Sequence, residues 1–223
     1  MRIVVLTGNH LRHNFVAQSL IDSLNVVGVW QQEKFIPSGM TEHLKQRARK
    51  EEEYFGKYQK IDGARPLNME EVKKSNPDLV IVFGTGLLEP YKMINLHLGL
   101  SPYYRGSGTN FFPLVNREPE YVGATIHHID EGIDSGDIIC QTVPDIELGD
   151  GPHDIGNKTI IKAVELLKQL PDKDLTGVPQ KKGGKLYLRK DQTEEAVKKM
   201  YHNFETGMIE EYLERKPVPI VEW

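Results

Sequence analysis

Asn95, His97 and Asp134 are the residues on which chemistry could be built. In the run INLHLGLSP, Ile94 to Pro102, Asn95 and His97 stand two apart, and side chains two apart along an extended strand share a face. An amide and an imidazole therefore project into one space. The acidic stretch DEGIDSG, Asp130 to Gly136, follows downstream and carries a carboxylate at Asp134. An amide donor, a titratable ring and a carboxylate meeting at one point are enough for general acid–base work on a carbonyl. The plain alternative is a buried polar strand end with a loop carboxylate that caps a backbone group.

Positioning these groups requires a sheet. Arg2 to Thr7 is a nearly continuous apolar run ended by Gly8, the pattern of a parallel strand buried on both faces. After the turn Gly8-Asn9-His10, apolar Ala17, Leu20, Ile21 and Leu24 recur at helical spacing. Val26 to Trp30 predicts a second strand, and Asp78 to Phe83 another, with Asn68 capping a short helix through Lys74 before Pro77. Ligands of open α/β sheets bind outside the carboxyl ends of the strands. Gly84, Thr85, Gly86 and Leu87, just past Phe83, should then line one crevice with His97.

Other stretches read as support. Thr41 to Tyr58 predicts an exposed helix, with Arg47–Glu51 and Arg49–Glu53 as i,i+4 pairs on a solvated face. Ile61 to Pro66 reads as a turn, and YYRGSGTN, Tyr103 to Asn110, as a glycine-containing loop before aromatics that pack in a core. Tyr121 to Asp130 alternates as a strand, placing His127 and His128 on opposite faces, and Asp137 to Ile146 predicts a further strand. Gly151 to Leu170 is amphipathic. A Pro/Gly/Lys connector follows, then a possible strand at LYLRK and one helix over Thr193 to Arg215. The expected organisation is a catalytic domain over residues 1–180 and an extension over 181–223 that packs on the core or forms a subunit interface, a homodimer being one arrangement.

Composition narrows the function. The formal net charge is −4, with 27% charged residues of both signs intermixed, so no basic footprint for nucleic acid is present. The single cysteine, Cys140, rules out an intrachain disulfide framework and a multi-cysteine zinc site. No apolar run reaches the length of a membrane span or a signal-peptide core, and the expected setting is the cytoplasm. The turn TGNHLRH is neither a G-x-G-x-x-G nor a P-loop. Asn9, His10, Arg12 and His13 at that helix start either hold an anionic part of a substrate through the helix dipole or form an ordinary solvated turn.

Asn95-x-His97 with Pro102, then Arg105-Gly106, then Asp130-x-Gly132-x-Asp134-Ser135-Gly136-Asp137-Ile138, resembles the folate-dependent formyltransferases over Met1 to Leu170. This resemblance implies a Rossmann-like α/β core with a mostly parallel sheet flanked by helices and a short C-terminal strand–helix tail. It implies 10-formyltetrahydrofolate as co-substrate, no metal, direct transfer, and catalytic roles for Asn95, His97 and Asp134. The folate side is assigned to Gly84, Thr85, Gly86 and Leu87 with Asp130, Gly132 and Ile133. The acceptor side is assigned to Asn9, His10, Arg12 and His13 with Tyr104, Arg105 and Gly106. Gly99 departs from the pattern, since many relatives carry Ser there.

Within that resemblance the opening turn and the LHLGLSPYYRGSGTN run look most like enzymes that formylate nucleotide-linked amino sugars. Glycinamide ribonucleotide enzymes carry a Gly-Ser-Asn type cradle where Gly8-Asn9-His10 stands here. Methionyl-tRNA enzymes add an RNA-binding domain, for which the mixed-charge tail is short. Hydrolysis of 10-formyltetrahydrofolate is a close variant. From other classes come a metal-dependent deacylase using His97, His127 or His128 and Asp134, against which strand geometry separates the paired histidines, and a non-catalytic nucleotide-sugar or folate-binding module.

Overall fold

The computed structural model describes residues 1–34 and 41–223. Its elements run, in order, β1 (Ile3–Gly8), α1 (Leu11–Ser23), β2 (Val26–Gln32), α2 (Glu42–Phe55), β3 (Arg65–Pro66), α3 (Met69–Lys74), β4 (Leu79–Phe83), β5 (Met93–His97), β6 (Tyr104–Gly106), α4 (Phe112–Val115), β7 (Ala124–His128), β8 (Ile138–Thr142), α5 (Pro152–Leu167), β9 (Lys185–Tyr187), α6 (Glu194–Glu205) and α7 (Met208–Leu213). The main sheet has the order β3-β2-β1-β4-β5-β7-β8. Strands β1 to β5 pair in parallel, whereas β7 lies antiparallel to both β5 and β8.

The continuous apolar runs become the central strands for the expected reason. Every residue of β1 and β4 is buried, because helices cover both faces and leave no side of these strands for polar groups. On one face Val16, Ala17 and Leu20 of α1 and Ile160, Val164 and Leu167 of α5 pack against Ile3, Val5, Ile81 and Ile94. On the other, Trp30 and Val72 join Val4, Leu6, Val80 and Met93. A third cluster joins α4 to the tail, with Phe112 and Leu114 beside Met200, Met208 and Ile209.

Four expectations are corrected. The turn over Ile61 to Pro66 ends in the short edge strand β3, paired with Trp30 and Gln31. The glycine loop after Pro102 contains β6, which pairs in parallel with β9 in a separate two-stranded sheet. The tail helix is two helices, broken where Gly207 adopts φ 80°, a conformation that ends regular helix. The fourth concerns α2, whose face is not uniformly solvated: Glu51 is buried, and Arg12 of α1 reaches it alongside Arg47.

Candidate active site

Strand β5 ends at the carboxyl edge of the sheet and delivers Asn95 and His97 from one face, as strand alternation requires. Opposite Asn95 in the antiparallel register stands His127 of β7. The loop after β7 returns Asp134 over these three residues in a left-handed conformation, φ 48°, which is costly for a side-chain-bearing residue and is held by its surroundings. Gln180 of the connector donates to the backbone oxygens of Asp134 and Gly136 at 3.0 and 2.7 Å. Asp130 accepts from the Gly132 N–H and the Ser135 hydroxyl, which closes the loop on itself.

Polar groups converge on the Asp134 carboxylate. Asn95 Nδ2 donates to Oδ1 at 3.2 Å, His97 Nδ1 lies 3.2 Å from Oδ2, His127 Nε2 lies 3.5 Å from Oδ1, and the Gly106 N–H donates to Oδ2 at 2.9 Å. Gly106 can make that approach because it sits at φ 90°; a Cβ there would stand 2.1 Å from the Tyr187 carbonyl oxygen. Burial pushes the Asp134 carboxyl up, but the His97 ring, the His127 hydrogen bond and the Gly106 N–H outweigh it and hold it at about 2. The carboxylate is therefore an anion at neutral pH.

His97 is caught between two demands. Its Nε2 stands 3.0 Å from the Tyr104 carbonyl oxygen while Nδ1 faces Asp134, so both ring nitrogens meet acceptors and only the doubly protonated ring satisfies both. Burial works against that charge and lowers the ring below the ordinary histidine value, with Asp134 opposing and His127 adding to the fall. The result is a ring whose geometry invites a second proton and whose burial makes it easy to give up.

The family model described as Formyl transferase matches residues 1–170. This chain belongs to the formyl transferase family. Among curated members, a methionyl-tRNA formyltransferase of Clostridioides difficile strain 630 is 29% identical over 127 residues, or 50% of this chain and 41% of that one. The chain thus matches less than half the length of that relative. Among solved structures, an N-formyltransferase of Helicobacter canadensis in complex with folinic acid and dTDP-3-aminofucose aligns with a TM-score of 0.60 at 18% identity, covering 91% of this chain and 80% of that one. The formyltransferase PseJ of Anoxybacillus kamchatkensis, in complex with UDP-4,6-dideoxy-4-formamido-L-AltNAc and tetrahydrofolate, aligns with a TM-score of 0.52 at 21% identity over 85% of this chain and 87% of that one. At these identities the likeness is one of fold.

Within this formyl transferase fold the other sequence-nominated residues are placed unevenly. Leu87 is 81% exposed and Gly86 donates its N–H to Gln32 at 2.7 Å, so the 84–87 loop lies open at the sheet edge. Asp130 and Gly132 are exposed and Ile133 half-buried. Asn9 accepts from the Lys34 N–H at 2.9 Å. His13 is buried edge-on to Phe83, close under Gly8 and Gly84, and its Nδ1 accepts from the His10 N–H; it packs the turn instead of facing a ligand. His10 and Arg105 each keep a buried nitrogen with no partner among the described residues. The Tyr104 phenol turns away into a cluster with Asn116, Glu118 and Lys185, so this residue meets the site only through its carbonyl.

Two contributors escaped the sequence. His127 was visible as one of a pair on opposite faces, and its partner His128 does turn away, to the Leu175 carbonyl at 2.8 Å. That β7 would pair antiparallel beside Asn95 carries no local signal. Gln180 sat in a stretch that read only as a connector. The described residues contain no group of three or more His, Cys, Asp or Glu arranged to hold a metal ion.

Proposed function

We propose that this protein transfers a formyl group from 10-formyltetrahydrofolate to the amino group of a nucleotide-linked amino sugar, using Asn95, His97 and Asp134. The observation that carries the reading is the convergence of an amide, two imidazoles and a backbone N–H on one ionised carboxylate at the sheet edge. The residues present fit the donor. Leu87 is exposed beside Gly86, and Leu88 and Ile129, which flank the 84–87 and 130–134 loops, pack on one core, which supports seating a flat, amide-edged ring by these loops. When bound, the folate supplies an electrophilic formyl carbon.

The protein's own residues do the rest. Asp134, ionised at neutral pH, accepts a proton from the attacking amine, directly or through water. As that carboxylate loses its charge its hold on Asn95 Nδ2 weakens, and the amide is released to donate to the oxygen on which negative charge develops. His97, whose burial makes its second proton labile, supplies charge to the same oxygen, or lends it a proton and takes it back as the carbonyl re-forms. A donor of this kind is worth about 2.7–4 kcal/mol when removed. The proton taken from the amine leaves with the departing folate nitrogen.

The amino-sugar acceptor is supported by the nucleotide sugars named in the complexes of the two structural neighbours and by a formal net charge of −4, which disfavours a polyanionic RNA partner. A methionyl-tRNA acceptor is the second reading, favoured by the curated relatives. Incubation with 10-formyltetrahydrofolate and a panel of amino nucleotide sugars, glycinamide ribonucleotide and methionyl-tRNA decides between them: mass gain of one formyl unit on a nucleotide sugar is expected, and gain only on the tRNA would overturn the sugar assignment.

A further inference from the structure

Away from Asp134, helices α1, α2, α5 and α6 bring together a second set of charged and titratable side chains. Arg12 Nε donates to Glu51 Oε1 at 2.8 Å, and Arg47 Nε stands 3.4 Å from the same oxygen. Glu51 is 5% exposed, so two guanidinium groups share one buried carboxylate and one positive charge is left over. Burial, and then Arg12, push the Arg47 guanidinium down to about 10, with Glu51 opposing. A half-buried cation in this state is relieved by any anion that reaches it.

Beside it, the Tyr201 hydroxyl donates to Gln46 Oε1 at 2.8 Å, while its oxygen lies 3.2 Å from His43 Nδ1 and 3.3 Å from His153 Nε2. A hydroxyl carries a single proton, so with that proton given to Gln46 the arrangement of neutral rings that satisfies the oxygen has both facing nitrogens protonated. The opposite nitrogens, His43 Nε2 and His153 Nδ1, are left bare, and neither makes a hydrogen bond among the described residues. The two rings are 4.8 Å apart. Burial, then His43, Arg47 and Arg12, hold His153 down to about 3 against Asp154; burial and Arg47 lower His43. The carboxylates facing this cluster are Asp154, tied to Lys50, the Tyr54 hydroxyl and the Gly151 N–H, Glu53, paired with Lys50, and Glu42, which acts on the Tyr201 hydroxyl and pairs with Lys45. A cavity of about 340 Å³ opens beside the cluster against Gln46, Arg49, Lys50, His153 and Tyr201, with Glu53 and Asp154 also on its wall.

We propose that Arg47, His43 and His153, oriented by Tyr201, form a subsite for the diphosphate of a nucleoside-diphosphate acceptor, filled with uptake of a proton. This rests on the nucleotide-linked acceptor argued above and assigns the residues that hold its charged part. The surplus guanidinium supplies the attraction, and the bare imidazole nitrogens become donors once the anion raises their affinity for protons. The 107–111 loop links the two sites: Thr109 packs against Gly99, which also neighbours His97, at one end, and the Phe111 ring lies 5.9 Å from His43 at the other. Tyr201 lies outside residues 1–170, so the tail completes the subsite.

The test is calorimetric titration of inorganic pyrophosphate into the full chain without folate, in two buffers of different ionisation heat near neutral pH, followed by histidine ring NMR. Expected are saturable binding, net proton uptake and shifts of the His43 and His153 resonances. Arg47→Met, which leaves Glu51 paired with Arg12, should weaken binding about tenfold or more, and Tyr201→Phe should reduce proton uptake. Absence of pyrophosphate binding, unchanged affinity in R47M, or shifts confined to other histidines would overturn the subsite. Because no formyl transfer is measured, a chain that binds pyrophosphate in this way yet formylates no nucleotide sugar refutes the proposed acceptor and leaves the subsite standing.

Discussion

The His97 ring and the Asp134 carboxylate stand 3.2 Å apart with side chains only 5% and 14% exposed. A close pair so shielded from water influences each partner's proton affinity far more than an exposed pair does. Asp134→Asn preserves shape and removes the charge, so the His97 ring loses its counter-ion and no base remains for the amine. Formyl transfer should fall by about two orders of magnitude or more while the circular dichroism spectrum stays native; turnover within a few-fold of the parent would remove Asp134 from the proposed mechanism.

His127 shares Asp134 Oδ1 with Asn95 but lies behind it, with its other nitrogen 2.7 Å from the His128 carbonyl oxygen. In the proposed mechanism it positions the carboxylate. His127→Gln should therefore lower kcat by about tenfold, much less than Asp134→Asn, and shift the acid limb of the rate profile without changing KM for the acceptor. A KM change alone would place His127 in binding instead.

The pH dependence of stability has two windows. Asp134 is held at about 2 in the fold, below its ordinary value of 3.8, so the unfolded chain binds the extra proton and the stabilisation, complete above about 4, is lost as pH falls through 2. His153 is held at about 3, below 6.5. Its proton also binds the unfolded chain more tightly, so its contribution, complete above about 6.5, declines as pH falls toward 3. Urea midpoints against pH should fall less steeply between 6 and 4 for His153→Gln than for the parent, and the parent and D134N curves should converge only below about 4.

Glu51 is the sole carboxylate against Arg12 and Arg47 among the described residues. Glu51→Gln leaves two guanidinium groups facing each other. Loss of one member of a buried pair typically costs about 3–5 kcal/mol; the partial exposure of both arginines brings the expectation here to about 2–3 kcal/mol, read from chemical denaturation.

At Gly99 a Cβ would stand 2.6 Å from Thr109 Cβ and 2.8 Å from His97 Nε2. Gly99→Ala should therefore displace His97 or the 107–110 loop and reduce activity by about tenfold or more, and adding Thr109→Gly should restore part of it. Failure of the second substitution to rescue would show that the crowding is not between these two residues.

Much of the fold was legible because local pattern and burial agree: the apolar runs at Ile3 to Thr7 and Leu79 to Phe83 can only be doubly covered strands, and Asn68 accepts from the Glu70 and Glu71 N–H groups as a cap should. The shared face of Asn95 and His97 followed from alternation. What stayed hidden depends on long-range pairing. His127 reaches Asp134 only through antiparallel register, β6 exists only because β9 pairs with it, and Arg12 meets Glu51 across two helices. Tyr104 and His13 were nominated by sequence position, yet their rings are packed inward, which residue type alone does not reveal.

The pairing of β6 with β9 also sets an order of events. Gly106, whose N–H meets Asp134, is registered against Tyr187, and Lys185 donates its N–H to the Tyr103 carbonyl at 2.7 Å. During synthesis the first strands can assemble while the polypeptide is still growing, but β6, which bears Gly106, lacks its partner strand until residues 185–187 have cleared the ribosome. On the proposed mechanism a nascent chain stays inert, and it ripens only once that late strand docks.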